Sequence, residues 1–238
     1  MMKKLLSYFT RGEILLWTAS VLLITVSFVL FDRESCLTLA ASLIGVTSLI
    51  LNAKGNPIGQ LLMVVFSILY GVISYDMAYY GEMVTYLGMT APMALFALIA
   101  WLRHPFNESR SEVAVNRLKP SEYLLMTIPT ALVTWIFYHI LAYFDTANII
   151  PSTLSVTTSF IPVYLTARRS EYYALGYAAN DAVLIVLWTL ASLEDTRYIS
   201  VVACFVAFLF NDLYGFIAWS KMKKRQMSSI QKSLSRHS

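Results

Sequence analysis

The residues with chemistry to offer are two Asn-Asp pairs, Asn180-Asp181 and Asn211-Asp212, each set inside an apolar run of the stretch from Tyr172 to Trp219. A carboxylate at the centre of an apolar membrane helix costs about 2.5–3.5 kcal/mol on insertion scales, so it faces a protein interior or a water-filled path. Aromatic residues surround both pairs at helical spacing. Tyr173, Tyr177, Asn180 or Asp181, Leu184 and Trp188 recur at three- and four-residue steps and form one stripe. Phe208, Asn211 or Asp212, Gly215 and Trp219 form a second, in which Gly215 permits close helix approach. Facing stripes of this kind suit a planar heteroaromatic ring, held by stacking and hydrogen-bonded through its amide or sugar, and a cationic ring gains further from the aromatic faces. The same residues also admit a structural use, the carboxyls capping backbone groups or pairing with Asn across helices.

Other chemistries find little support. An intramembrane enzyme needs a nucleophile with a base or a metal set, and no flanking motif turns the Asp pair into one. His139 is solitary, and Cys36 and Cys204 fall at different spans, so neither a metal site nor a disulfide framework is read, and no cofactor is expected. No Gly-rich phosphate cradle occurs and no Lys or Arg lies inside a span, which disfavours a strongly anionic ligand.

The elements that must position these stripes are membrane helices. Of 238 residues, 58% are hydrophobic and 13% charged, about half the charged share of a soluble domain. Windows long enough to cross a hydrocarbon core of about 30 Å occur eight times: 14–31, 36–51, 57–75, 81–102, 122–144, 148–167, 172–193 and 198–220. The first run is long and has no small-residue cleavage site, so it reads as a span and not a removed signal peptide. With the N-terminus inside, every basic residue except Arg33 and Arg197 falls on the cytoplasmic side, including Lys3, Lys4, Lys54, Arg168 and Arg169. That bias predicts both termini in the cytoplasm. The basic tail after Trp219 reads as a topology anchor at anionic headgroups; no nucleic acid is expected as a partner. Trp101 and Trp219, beside bases at span ends, read as part of an interfacial belt, and Pro92, Pro129 and Pro162 predict kinks.

The chain also repeats itself. Tyr80 to Arg103 aligns without gaps on Tyr198 to Lys221, both carrying Ile-Ala-Trp near the end, and Tyr70 falls opposite Trp188 at the same offset. Spans two to four thus recur as spans six to eight, in the same orientation, with span five between them and span one as an addition. The expected division is 1–35 for an N-terminal segment and extra helix, 36–103 for a first three-helix bundle, 104–147 for a loop and linker helix, 148–220 for a second bundle and 221–238 for the tail.

Three pieces, YYGEM at Tyr79 to Met83, the run from Thr157 to Asp181 ending in YYALGYAAND, and NDLYGFIAW from Asn211 to Trp219, resemble the PnuC family of bacterial vitamin transporters, whose best-known members carry nicotinamide riboside. The resemblance runs from about Leu43 to Trp219. It implies an all-α membrane protein of the SWEET-like 3+1+3 type, commonly a homotrimer, in the bacterial cytoplasmic membrane. It further implies facilitated diffusion with cytosolic phosphorylation trapping the imported riboside. By motif match Tyr177, Asp181 and Trp188 fall on the family's binding positions; Asn180, Asn211, Asp212, Tyr214, Tyr86 and Tyr70 complete the expected site. The chain departs from the family at Phe66 and Tyr86, where many members carry polar residues, so thiamine, riboflavin or a deoxynucleoside stands as an alternative cargo. The two intramembrane carboxyls also admit a proton-coupled symporter.

Overall fold

The computed structural model describes residues 8–33, 35–76, 79–106, 109–146 and 148–237; Lys3 and Lys4, part of the expected charge bias, lie outside them. Eight helices of the described residues are long and apolar enough to cross a membrane. They are α1 (Arg11–Phe31), α2 (Cys36–Ala53), α3 (Pro57–Asp76), α4 (Tyr80–Arg103), α5 (Pro120–Tyr143), α6 (Ile149–Ala167), α7 (Tyr173–Ser192) and α8 (Ile199–His237). Sequence and structure agree on every span to within a few residues at the ends, except that α8 continues as helix through the basic tail. The α4–α5 connection holds a two-stranded antiparallel hairpin, Pro105–Phe106 with Ser109–Val113, which the hydrophobic pattern did not announce.

Six helices close into a ring. Going round it, α2 packs on α3, α3 on α4, α4 on α6, α6 on α7, α7 on α8, and α8 back on α2. Outside the ring, α1 covers the α8–α2 seam and α5 leans on α6. Few side chains of α5 are buried and Leu124, Ile128 and Trp135 are widely exposed, as expected of a helix facing lipid. The first turn of α1 is fixed locally by a capping box: Glu13 N–H donates to Thr10 Oγ1 at 3.2 Å and Thr10 N–H to Glu13 Oε2 at 2.7 Å.

The two seams of the ring are built alike. Helices α2 and α6 both end in a Schellman motif whose last residue is left-handed, Gly55 at φ 67° and Arg169 at φ 59°. Gly55 N–H donates to Asn52 O and Asn56 N–H to Leu51 O; Arg169 N–H donates to Thr166 O and Ser170 N–H to Leu165 O. At one seam Trp219 on α8 donates its indole N–H to Asn52 O at 2.7 Å, and at the other Trp101 on α4 donates to Thr166 O at 3.0 Å. Both indoles are wholly buried. The expected interfacial belt is therefore corrected: a Trp beside a base at a span end is here a seam lock, because the neighbouring helix presents a carbonyl in its last turn. The inter-helix loop bridges both caps, Val113 N–H donating to Gly55 O and Asn116 N–H to Arg169 O at 3.0 Å each. Gln226, on the extended part of α8, holds that loop through Val113 O and Val115 N–H.

Candidate binding cavity

At the centre of the ring lies a cavity of about 30 Å3 to which all six helices contribute. Its apolar wall is Leu49 of α2, Met63 and Phe66 of α3, and Phe205 and Phe208 of α8; its polar wall is Tyr86 and Thr90 of α4, Ser159 of α6, Tyr177, Asn180 and Asp181 of α7, and Asp212 of α8. A pocket for a drug-sized ligand is usually ~300–1,000 Å3, so these walls must separate to admit a nucleoside.

Local sequence explains how the polar groups reach the centre. Pro92 has no N–H and its ring excludes the carbonyl four residues back, so α4 opens into a π turn over Tyr86–Thr90, with Ala91 N–H donating to Tyr86 O. The wide turn carries two cavity residues, Tyr86 and Thr90. On α6, Thr158 Oγ1 and Ser159 Oγ donate to Asn180 Oδ1 at 2.8 and 2.9 Å, so the amide carbonyl is held and its NH2 is left for other partners. Thr158 Oγ1 also lies within hydrogen-bond reach of Leu154 O on its own helix, at 2.9 Å. Asp181 and Asp212 meet carboxyl to carboxyl across the α7–α8 contact. Asp181 Oδ2 is buried and accepts from no donor among the described residues. Gly215 brings α8 close: a Cβ there would stand 3.4 Å from Ala174 Cβ.

Beyond the cavity, away from the loop-bridged end, an aromatic collar closes the ring. Tyr70 packs at a tilt against Tyr86 with centroids 4.5 Å apart and meets Trp188 edge to face at 6.2 Å; Trp188 lies 4.7 Å from Tyr79 and 5.5 Å from Tyr198. Tyr70 OH and Trp188 Nε1 are buried without a hydrogen-bond partner among the described residues, which costs about 1–3 kcal/mol each until something supplies one. Glu82, at the start of α4, is buried and accepts from Ser155 Oγ at 2.8 Å.

Of the residues expected from sequence, the structure gathers Tyr86, Tyr177, Asn180, Asp181 and Asp212 at the cavity and sets Tyr70 and Trp188 in the adjoining collar. It does not bring Asn211 or Tyr214 there. Asn211 Nδ2 donates to Ser20 Oγ on α1 at 2.8 Å, and Tyr214 OH donates to Glu13 Oε1 at 2.9 Å. Lys54 completes that contact through an ion pair to Glu13 at 3.1 Å. One residue of helix turns the side chain by about 100°, and on α8 this sends Asn211 to Ser20 of α1 while Asp212 lines the cavity. Leu49, Met63, Phe66, Thr90, Ser159, Phe205 and Phe208 complete the wall. Phe208 belongs to the second stripe, Phe66 was marked as a departure from a family pattern and Ser159 lies in the run from Thr157 to Asp181; the others gave no sequence signal.

The sequence profile described as nicotinamide mononucleotide transporter matches residues 35–221. A nicotinamide riboside transporter PnuC of Neisseria mucosa is 25% identical over 88% of this chain and 81% of its own. One of the same description from Haemophilus influenzae is 22% identical, covering 88% of this chain and 90% of its own. Among solved structures, the vitamin B3 transporter PnuC superposes with a TM-score of 0.80 at 23% identity, over 92% of this chain and 94% of that one.

Proposed function

This chain belongs to the nicotinamide mononucleotide transporter family, and we propose that its own cargo is the unphosphorylated riboside, carried through the central cavity by facilitated diffusion. The observation that carries the choice is the cavity wall. Its charged residues are Asp181 and Asp212, and none of the lining residues is a base. A phosphate dianion beside two carboxyl groups finds repulsion and no compensating cation. A pyridinium ring finds aromatic faces, and its carboxamide and ribose hydroxyls find Asn180, Ser159 and Thr90. The curated relatives named above are nicotinamide riboside transporters, which favours the same choice.

In this reading 36–103 and 148–220 are two parallel triplets of the SWEET-like type, 104–147 links them and 1–35 is an added helix. Both termini lie in the cytoplasm of a bacterium and the protein sits in the inner membrane. The distribution of basic residues supports that orientation: at the loop-bridged end stand Lys54, Arg103, Lys119, Arg168, Arg169 and Lys221, and at the other Arg33 and Arg197. Cytosolic phosphorylation of the riboside then prevents its return. A homotrimer, the assembly implied by the resemblance to the PnuC family, belongs to the same proposal; α5 with its open apolar groove of about 630 Å3 offers the surface for a neighbouring copy.

Uptake of labelled nicotinamide riboside into liposomes holding the purified protein tests the reading. Saturable uptake without an ion gradient, unaffected by excess mononucleotide, is expected. Stronger competition by thiamine, riboflavin or a deoxynucleoside would overturn the cargo, and uphill uptake driven by a pH gradient would overturn facilitated diffusion in favour of a proton-coupled symporter.

A further inference from the structure

We propose that Asp181 and Asp212 act together as one negative charge, sharing a single proton, and that this makes the cavity selective for planar heteroaromatic ligands bearing one positive charge. The inference rests on the central cavity being the substrate site and adds what that site selects.

The contact between the two carboxyls sets the stoichiometry. An ionised carboxylate only accepts hydrogen bonds, so two of them in hydrogen-bond contact need a proton between them. Two full charges at that separation, away from water and without a cation, repel strongly. The groups that face the pair do not relieve it. Tyr173 and Tyr177 come from α7, Tyr86 from α4 and Cys204 from α8; among the described residues no Lys, Arg or His acts on either carboxyl. Phenol and thiol stay neutral across the acidic-to-neutral range, so of these groups only the two carboxyls titrate there.

A charge count then decides among ligands. One shared proton leaves the pair at a single negative charge. A monocation brings the loaded cavity to neutrality, the state that crosses the middle of a bilayer at least cost. A doubly ionised pair stays charged when loaded, and a doubly protonated pair leaves the ligand's own charge unmatched. Asp181 Oδ2, buried in the wall with no donor among the described residues, is the atom nearest to being free for the ligand. Tyr86, Tyr177, Phe66 and Phe208 line the same cavity, and aromatic rings suit a flat cation and offer little to a flexible aliphatic one.

Calorimetric titration of the full-length protein in detergent separates charge from shape if two ligands are compared. Nicotinamide riboside carries the pyridinium; benzamide riboside has the same outline with carbon in place of the ring nitrogen and no charge. The cation should bind the wild-type protein at least about 30-fold more tightly, the scale of a buried charge pair that loses one partner. Asp181→Asn and Asp212→Asn alone each leave one carboxylate beside an amide, so each should keep most of that preference, within about tenfold. The double variant should lose it while still binding benzamide riboside, which also shows that it is folded. Acidification that neutralises the pair should weaken the cation alone. Equal affinity of the two ribosides for the wild-type protein overturns the counter-charge and leaves the substrate cavity standing. A single variant as damaged as the double overturns the shared proton. Failure of both ligands to bind a wild-type sample with an intact thermal transition overturns the cavity reading and this inference with it.

Discussion

Trp101 and Trp219 meet with ring centroids 5.3 Å apart, and each sends its indole N–H across a seam to a helix of the opposite half of the ring, Thr166 O and Asn52 O. Both acceptors also take a backbone N–H within their own cap, so neither carbonyl is orphaned when the indole is lost. Trp101→Phe and Trp219→Phe should therefore each destabilise the protein by about 1 kcal/mol, and by similar amounts because the seams are built alike. Truncation to Ala empties a wholly buried site and should cost about 3–5 kcal/mol. Denaturation in detergent measures both.

Gly45 of α2 leaves the space that two cavity rings occupy. A Cβ there would stand 2.4 Å from Phe208 Cζ and 3.0 Å from the Phe66 ring. Gly45→Ala should push Phe208 inward and lower riboside uptake about tenfold, the scale of a small misplacement of groups that contact the cargo. A larger residue, as in Gly45→Val, should abolish it. Uptake unchanged in Gly45→Val would mean that these rings do not bound the path.

The two Asn residues of the Asn-Asp pairs should part company on mutation. Asn180→Ala leaves Ser159 and Thr158 without their acceptor beside the cavity and should raise the half-saturating riboside concentration. Asn211→Ala breaks the contact to Ser20, so it should lower the unfolding temperature with the half-saturating concentration unchanged. Uptake kinetics and a melting curve on the same samples distinguish them.

Asp32, in the α1–α2 turn, is buried and takes a 3.4 Å hydrogen bond from Ser200. Burial raises its affinity for a proton above the ordinary carboxylate range; the Ser200 bond and the Arg197 charge only partly oppose this. A folded state that holds the proton more tightly than the unfolded one is favoured at low pH. The contribution is complete below the ordinary carboxylate value and is lost as pH rises through the raised one. Asp32→Asn, which fixes the neutral form, should melt higher than wild type at pH 8 and show a flatter dependence on pH.

Much of this arrangement was legible in the residues. Charges inside apolar runs are expensive, so Asp181, Asp212 and their neighbours Asn180 and Tyr177 announced an interior, and the basic residues at span ends fixed the number of helices. Other parts were not. Phe66, Met63 and Leu49 face the cavity, but an apolar side chain in a membrane span has the same composition whether it meets lipid or cargo. Asn211 and Asp212 are adjacent, and the periodicity of a single helix left open which of them turns inward; the packing of α1 decided it. Trp101 and Trp219 carried the pattern of a membrane belt, and only the caps of α2 and α6 give them partners. The left-handed Arg169 had no glycine to mark it.

The narrow polar centre has an electrical consequence. Between the indole pair at one end and the collar of Tyr79, Trp188 and Tyr198 at the other, the cavity of about 30 Å3 has room for about one or two water molecules. Ion and proton leakage needs an unbroken file of water from face to face, and a ring this tightly plugged interrupts it. A cell can therefore keep many copies in an energised membrane without short-circuiting the gradient that its pumps maintain.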